Sequence, residues 1–154
     1  MLKKALQSRT LSKPLFYLLS FTWGLPVTLI GCIYGLIFLI IGRRPKRFGY
    51  CYYFELKRLK GGFNIGLFIF SCENPNEALL AHEHGHALQN CFYGLLMPFI
   101  VSMPSCIRYH YRNFIRKYMH KRPKKPYDSI WFENEATVIG NALYNAIYNT
   151  ETTV

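Results

Sequence analysis

The sequence predicts an α+β fold, mainly α, with one β-hairpin, one N-terminal transmembrane helix and a metal site carried on a later helix. Three observations carry this expectation. Residues 15 to 41 contain no charged side chain between Lys13 and Arg43. Two runs rich in aromatic and branched residues flank Gly61-Gly62. His82-Glu83-His84-Gly85-His86 falls inside a stretch that opens with helix-start residues. A chain of 154 residues with 51% hydrophobic content can supply one compact domain together with a membrane element. The expected division is a basic tail and transmembrane helix over 1–42, and a domain built around the metal site over 43–154.

The apolar run comes first. About twenty apolar residues cross the hydrocarbon core as a helix, and a longer run allows tilt or a kink near Gly24 and Pro26. Crossing twice would need roughly forty residues, which excludes a hairpin. A shallow re-entrant loop is the alternative, since both flanks are basic and Trp23-Gly24-Leu25-Pro26 can bend. A cleaved signal peptide fits poorly, because the run is long and lacks an Ala-x-Ala ending. With four basic residues before it and fifteen after it, a single pass would place the C-terminal portion in the cytoplasm.

The net charge of +11 calls for an anionic partner. Every basic cluster adjoins an apolar stretch, and no zinc-finger, RNA-binding or helix-turn-helix pattern is present. The expected partner is therefore a membrane containing anionic lipid, not nucleic acid. The five cysteines, Cys32, Cys51, Cys72, Cys91 and Cys106, lack Cys-x-x-Cys spacing and are odd in number, so buried, reduced thiols are expected.

Tyr50 to Leu56 and Phe63 to Ser71 read as the two strands of a hairpin turning at Lys60-Gly61-Gly62. In that register Cys51 and Cys72 would be cross-strand neighbours. Asn74 is the expected cap of the next helix, with Pro75 at its first position and Glu77 in its positive first turn, running to about Tyr93. Cys91 to Ile107, interrupted by Pro98 and Pro104, reads as a buried or interfacial segment that does not cross. Arg108, Arg112 and Arg116 form one cationic stripe on a helix ending near His120, which would suit a lipid surface and equally an ordinary solvated face. After a Pro-containing linker, Asp128 or Ser129 caps a last helix reaching about Asn149.

The chemistry lies on the histidine helix. His82 and His86 are four residues apart, so both imidazoles project from one face and can hold one ion. Glu83 is the expected catalytic base, placed beside the metal where it can take a proton from water and pass it to a leaving amine. A catalytic Zn2+ wants three protein ligands and one open position. Among the acids downstream, Asp128, Glu133, Glu135 and Glu151, the third ligand is read as Glu133. Ala136, Thr137 and Gly140 follow it at helical spacing, a smooth face able to approach Gly85 and Ala81. Glu135 points about 200° away and is the fallback. His84 lies on the other side of its helix and is read as a non-ligand. Asp128 could orient a ligand histidine. Tyr109, His110 and Tyr111 are candidates to stabilise an oxyanion, although aromatic packing beside a membrane is the preferred explanation for each.

Ala81-His82-Glu83-His84-Gly85-His86 followed by Trp131-Phe132-Glu133-Asn134-Glu135-Ala136-Thr137 resembles the gluzincin pattern of integral-membrane zinc peptidases, including the prenyl-protein and heat-shock types. In that pattern an Asp usually follows the Ala, where Thr137 stands here. Over roughly residues 14 to 140 the layout resembles a group of small, uncharacterised bacterial membrane-bound proteins of the zinc metallopeptidase kind. The resemblance takes in Met103-Pro104-Ser105-Cys106-Ile107-Arg108-Tyr109 and Tyr127-Asp128-Ser129-Ile130. It implies a zincin-like site with ligands His82, His86 and Glu133, and no particular substrate.

The expected function is thus a membrane-anchored, zinc-dependent peptidase with peptide or protein substrates. The rival is a non-catalytic membrane protein whose zinc site is structural, closed by a fourth ligand such as His84, His110 or Asp128. A basic adaptor recruiting nucleic acid or an acidic protein to the membrane ranks third, and would show steep salt dependence without metal dependence.

Overall fold

The computed structural model describes residues 11–120, 126 and 129–148. The chain folds as α+β and is mostly helical. Its apolar N-terminal run is two helices, α1 (Lys13–Phe21) and α2 (Leu25–Ile40), set at 93°. This corrects the single continuous span: no helix among the described residues is long and apolar enough to cross a membrane. The break has local causes. Pro26 in the first turn of α2 has no N–H with which to continue α1, and Thr22 Oγ1 bonds Leu18 O at 2.7 Å, closing α1 from within. The bend is also tied to the body, where Asn90 Nδ2 donates to Gly24 O at 3.2 Å.

Four strands follow: β1 (Lys46–Phe48), β2 (Cys51–Glu55), β3 (Gly62–Ile65) and β4 (Phe68–Ser71), ordered β1-β2-β4-β3. The hairpin expected across Lys60-Gly61-Gly62 is not formed. The two tight turns lie instead at Gly49-Tyr50 and Gly66-Leu67, joining the antiparallel pairs β1/β2 and β3/β4, while β2 and β4 run parallel. Both turns start on a glycine of positive φ, 55° at Gly49 and 61° at Gly66, as two-residue hairpin turns require. The parallel register sets Tyr52 beside Phe68 and Glu55 beside Ser71. Cys51 and Cys72 therefore sit at opposite ends of the sheet and are not cross-strand neighbours. All five cysteines are free; Cys51 and Cys91 are buried as expected, whereas Cys106 is exposed.

Helix α3 (Glu77–Tyr93) starts two residues later than expected, capped by Asn76, whose Oδ1 accepts from Leu79 N at 2.8 Å. Asn74 instead takes a φ of 50° in the preceding turn. Beyond Tyr93 a 3-10 turn (Gly94–Leu96) and a π turn (Pro98–Ser102) swing the chain through 115° into α4 (Met103–Tyr118). The last helix, α5 (Trp131–Tyr148), packs antiparallel against α3, with Ala81 opposite Gly140 and Gly85 opposite Ala136.

One apolar core joins α1, the sheet, α3 and α5 through Phe16, Phe48, Cys51, Ile69, Leu88 and Leu143. A smaller cluster of Val27, Met97, Val101 and Phe132 ties α2 and the π turn to α5. Gly31 and Gly35 let α2 lie on the β3/β4 hairpin: a Cβ at Gly31 would strike Ile65 O, and one at Gly35 would press on the Phe68 ring.

Candidate metal centre

The α3/α5 contact creates the site. Glycine and alanine at the crossing bring the two backbones so close that a Cβ on Gly85 would meet Ala136 O, and one on Gly140 would meet Ala81 O. Neither could be accommodated. At this separation His82 and His86, one turn apart on α3, face Glu133 in the first turn of α5. Glu133 Oε2 lies 3.2 Å from His82 Nε2 and 3.3 Å from His86 Nε2. One ligand atom from each of the three residues lies within 4.8 Å of the others. Two ligands held about 2.0–2.1 Å from a tetrahedral ion would be roughly 3.3 Å apart, which the two Glu133–imidazole distances match.

The hydrogen bonds behind the rings determine which nitrogens face inward. The Thr137 hydroxyl donates to Glu133 O at 3.1 Å, so it accepts from His82 Nδ1 at 2.9 Å. The Gln89 amide nitrogen donates to Phe132 O at 2.8 Å and to Glu135 Oε2 at 2.9 Å, which leaves its oxygen to accept from His86 Nδ1 at 2.8 Å. Both Nδ1 atoms thus carry hydrogen, and each Nε2 presents a lone pair to Glu133, as metal-binding imidazoles do. Tyr93 donates to Glu135 Oε2 at 2.8 Å and completes the outer ring of bonds. Ser105, in the first turn of α4, donates to Glu133 Oε1.

Two lone pairs and a carboxylate oxygen directed at one another require a cation between them, either a proton on a ring nitrogen or a metal. With protons there, burial alone would raise the Glu133 carboxyl, but hydrogen bonds from His82 and His86, the charge of His86 and the Ser105 hydroxyl hold it below the ordinary range. Burial lowers the His86 imidazole, and the neighbouring carboxylates together with Gln89 more than offset this and raise it. With hydrogen on both Nδ1 atoms and none on Nε2, Glu133 Oε2 accepts no hydrogen bond and is left open to a cation.

Glu83 is buried, and its Oε2 also lacks a hydrogen-bond partner. Burial pushes its carboxyl upward; His86 and His82 pull it down, and Glu133 adds to the rise, so it lies within electrostatic reach of all three ligands. A Cβ on Gly62, at the start of edge strand β3, would come within 3.0 Å of Glu83 Oε1.

Other expected residues lie elsewhere. Glu135 is a support of Gln89 and not part of the ligand cluster. His84 is enclosed by the rings of Phe16, Phe48 and Tyr50, with neither nitrogen bonded, and burial lowers its pKa to about 4. Tyr109 and Tyr111 are exposed on α4, and His110 stacks edge-on against Tyr109, so the oxyanion role assigned to them has no support in the geometry. Asp128 lies outside the described residues. Sequence reading missed Gln89, Tyr93 and Ser105. Gln89 follows His86 by three residues and Tyr93 follows Gln89 by four, a helical spacing that could have indicated them; nothing local marks Ser105. No family model, curated protein or solved structure matches the chain.

Proposed function

We propose that the chain is a zinc-dependent peptidase with a zincin-like site, in which His82, His86 and Glu133 hold the metal and Glu83 is the general base. The single observation behind this reading is the convergence of two imidazole Nε2 lone pairs, oriented by Thr137 and Gln89, with an otherwise unbonded Glu133 oxygen. Zinc at such a site supplies a Lewis acid that makes water nucleophilic near neutral pH.

The protein's own part follows from its residues. Neutral imidazoles and one carboxylate would leave a bound divalent ion with net positive charge, which would favour deprotonating water. Glu83 takes that proton and returns it to the departing amine; burial with one oxygen unbonded keeps the carboxyl available for both steps. Among the described residues, strand β3 pairs with a strand on one side only, and it begins against Glu83. An extended peptide adding to that edge would bring its backbone to the base without much demand on side-chain sequence. Among the described residues, the candidate fourth ligands of a structural zinc site, His84 and His110, are engaged with aromatic rings away from the ligand cluster. That favours an open position.

Glu83→Gln is expected to keep stoichiometric zinc and lose hydrolysis of a quenched peptide library, whereas His86→Ala and Glu133→Ala are expected to lose the zinc. Full-rate cleavage by Glu83→Gln, or equal zinc in all variants and wild type, would overturn the proposal.

A further inference from the structure

The orientation of α4 is inverted relative to a helix packed in a water-soluble protein. None of its sixteen residues is buried. Met103, Ile107, Tyr111, Phe114 and Tyr118 recur at spacings of three and four, so they form one stripe, and that stripe faces outward, with Ile107 and Tyr111 each 63% exposed. The opposite, polar face is turned to the protein: Ser105 bonds Glu133, and Arg108 donates to Pro126 O and Ser129 Oγ, both at 2.9 Å. The cationic stripe, read from sequence as facing either lipid or solvent, thus begins against the body. A helix of this length is marginal in water without a packed apolar face.

Helix α2 repeats the arrangement. Its glycine face lies on the sheet, and Ile33, Leu36 and Ile40 point outward, Ile40 76% exposed. The Val27, Met97, Val101 and Phe132 cluster joins α2 to the turn that leads into α4. Each helix follows a sharp bend, 93° or 115°, and spans about 24 Å, less than the roughly 30 Å of a hydrocarbon core. Each ends in exposed cations, α2 at Arg43 and Arg44, α4 at Arg116 and Lys117.

We propose that the outward faces of α2 and α4 seat the protein in one leaflet of an anionic lipid bilayer without crossing it. The terminal cations select the occupant: they complement lipid phosphates, whereas a second copy of this chain would set like charges together. Because Ser105 lies on the first turn of α4 and touches Glu133, the metal centre sits about one helix thickness, roughly 10 Å, from the lipid-facing stripe.

The test uses the full chain, purified in mild detergent, diluted into preformed vesicles of phosphatidylcholine with about one-third phosphatidylglycerol, and floated on a density gradient. Wild type is expected to float and to remain bound after a high-salt wash. Ile107→Glu with Phe114→Glu, and separately Ile33→Glu with Leu36→Glu, are expected to lower the floated fraction about tenfold or more. Tyr109→Glu, exposed but off the stripe, is expected to float like wild type. All variants should keep wild-type circular dichroism in detergent, since the altered side chains touch no core. Tags at both chain ends should stay open to protease added outside the vesicles. Wild type left at the bottom, stripe variants that float undiminished, a protected tag, or a lipid-independent dimer dissolved by the stripe substitutions would each overturn the proposal.

Discussion

Thr137→Val tests the orientation of the metal ligands with little change of shape. Valine keeps the branched outline and removes only the hydroxyl, which accepts from His82 Nδ1 at 2.9 Å while donating to Glu133 O at 3.1 Å. Without it His82 has no partner to hold hydrogen on Nδ1, and its ring is free to turn or to carry the hydrogen on Nε2, where it blocks a ligand position. A neutral hydrogen bond contributes about 0.5–1.5 kcal/mol and one to a charged group about 1.5–3 kcal/mol. The imidazole becomes strongly polarised when it binds a cation, so the loss should fall at about 1.4–2.7 kcal/mol, a ten- to hundredfold weaker zinc affinity. Chelator competition reads this directly. Thr137→Ser, which keeps the hydroxyl, should stay near wild type, and at saturating zinc Thr137→Val should recover most of its turnover, because Glu83 is untouched. Undiminished zinc affinity in Thr137→Val would refute the assignment of Nδ1 as the hydrogen-bearing atom and the orienting role built on it.

Gln89→Met should also weaken zinc about ten- to hundredfold, because His86 loses its acceptor and Glu135 its amide donor; unchanged affinity by competition would count against the chain of bonds running to Tyr93. Gly140→Ala inserts a methyl group where Ala81 O lies, forcing α3 and α5 apart; urea unfolding should show a loss of about 1–3 kcal/mol or more, together with a lower zinc content. His84 gives a pH dependence. Burial lowers its pKa from 6.5 to about 4, so between those values the unfolded chain binds the proton and the folded one does not. Its stabilising contribution is complete above about pH 6.5, is lost progressively as pH falls toward 4, and changes no further below that; the full loss is about 3 kcal/mol. His84→Phe, compared with wild type in the same chelator, should remove this difference and be at least as stable at neutral pH, since no buried nitrogen is left unbonded. Parallel pH profiles for the two proteins would show that His84 is not the source.

Local periodicity made part of this protein legible without coordinates. The His82/His86 face, the end of α3 at Tyr93, and the small face of Ala136 and Gly140 that meets Gly85 and Ala81 all follow from 3.6 residues per turn and from side-chain size. Contacts distant in sequence decided the rest. Gly49, Gly61 and Gly66 have similar local turn chemistry, and the turns fell at Gly49 and Gly66 because β4 inserts between β2 and β3. The bend at Gly24 depends on Asn90, the register that separates Cys51 from Cys72 on parallel pairing, and the outward turn of α4 on where Ser105 and Arg108 find partners. A helix or strand pattern is set within one or two turns of chain, whereas strand order and the facing of a helix are set by segments tens of residues away competing for the same hydrogen bonds and the same core.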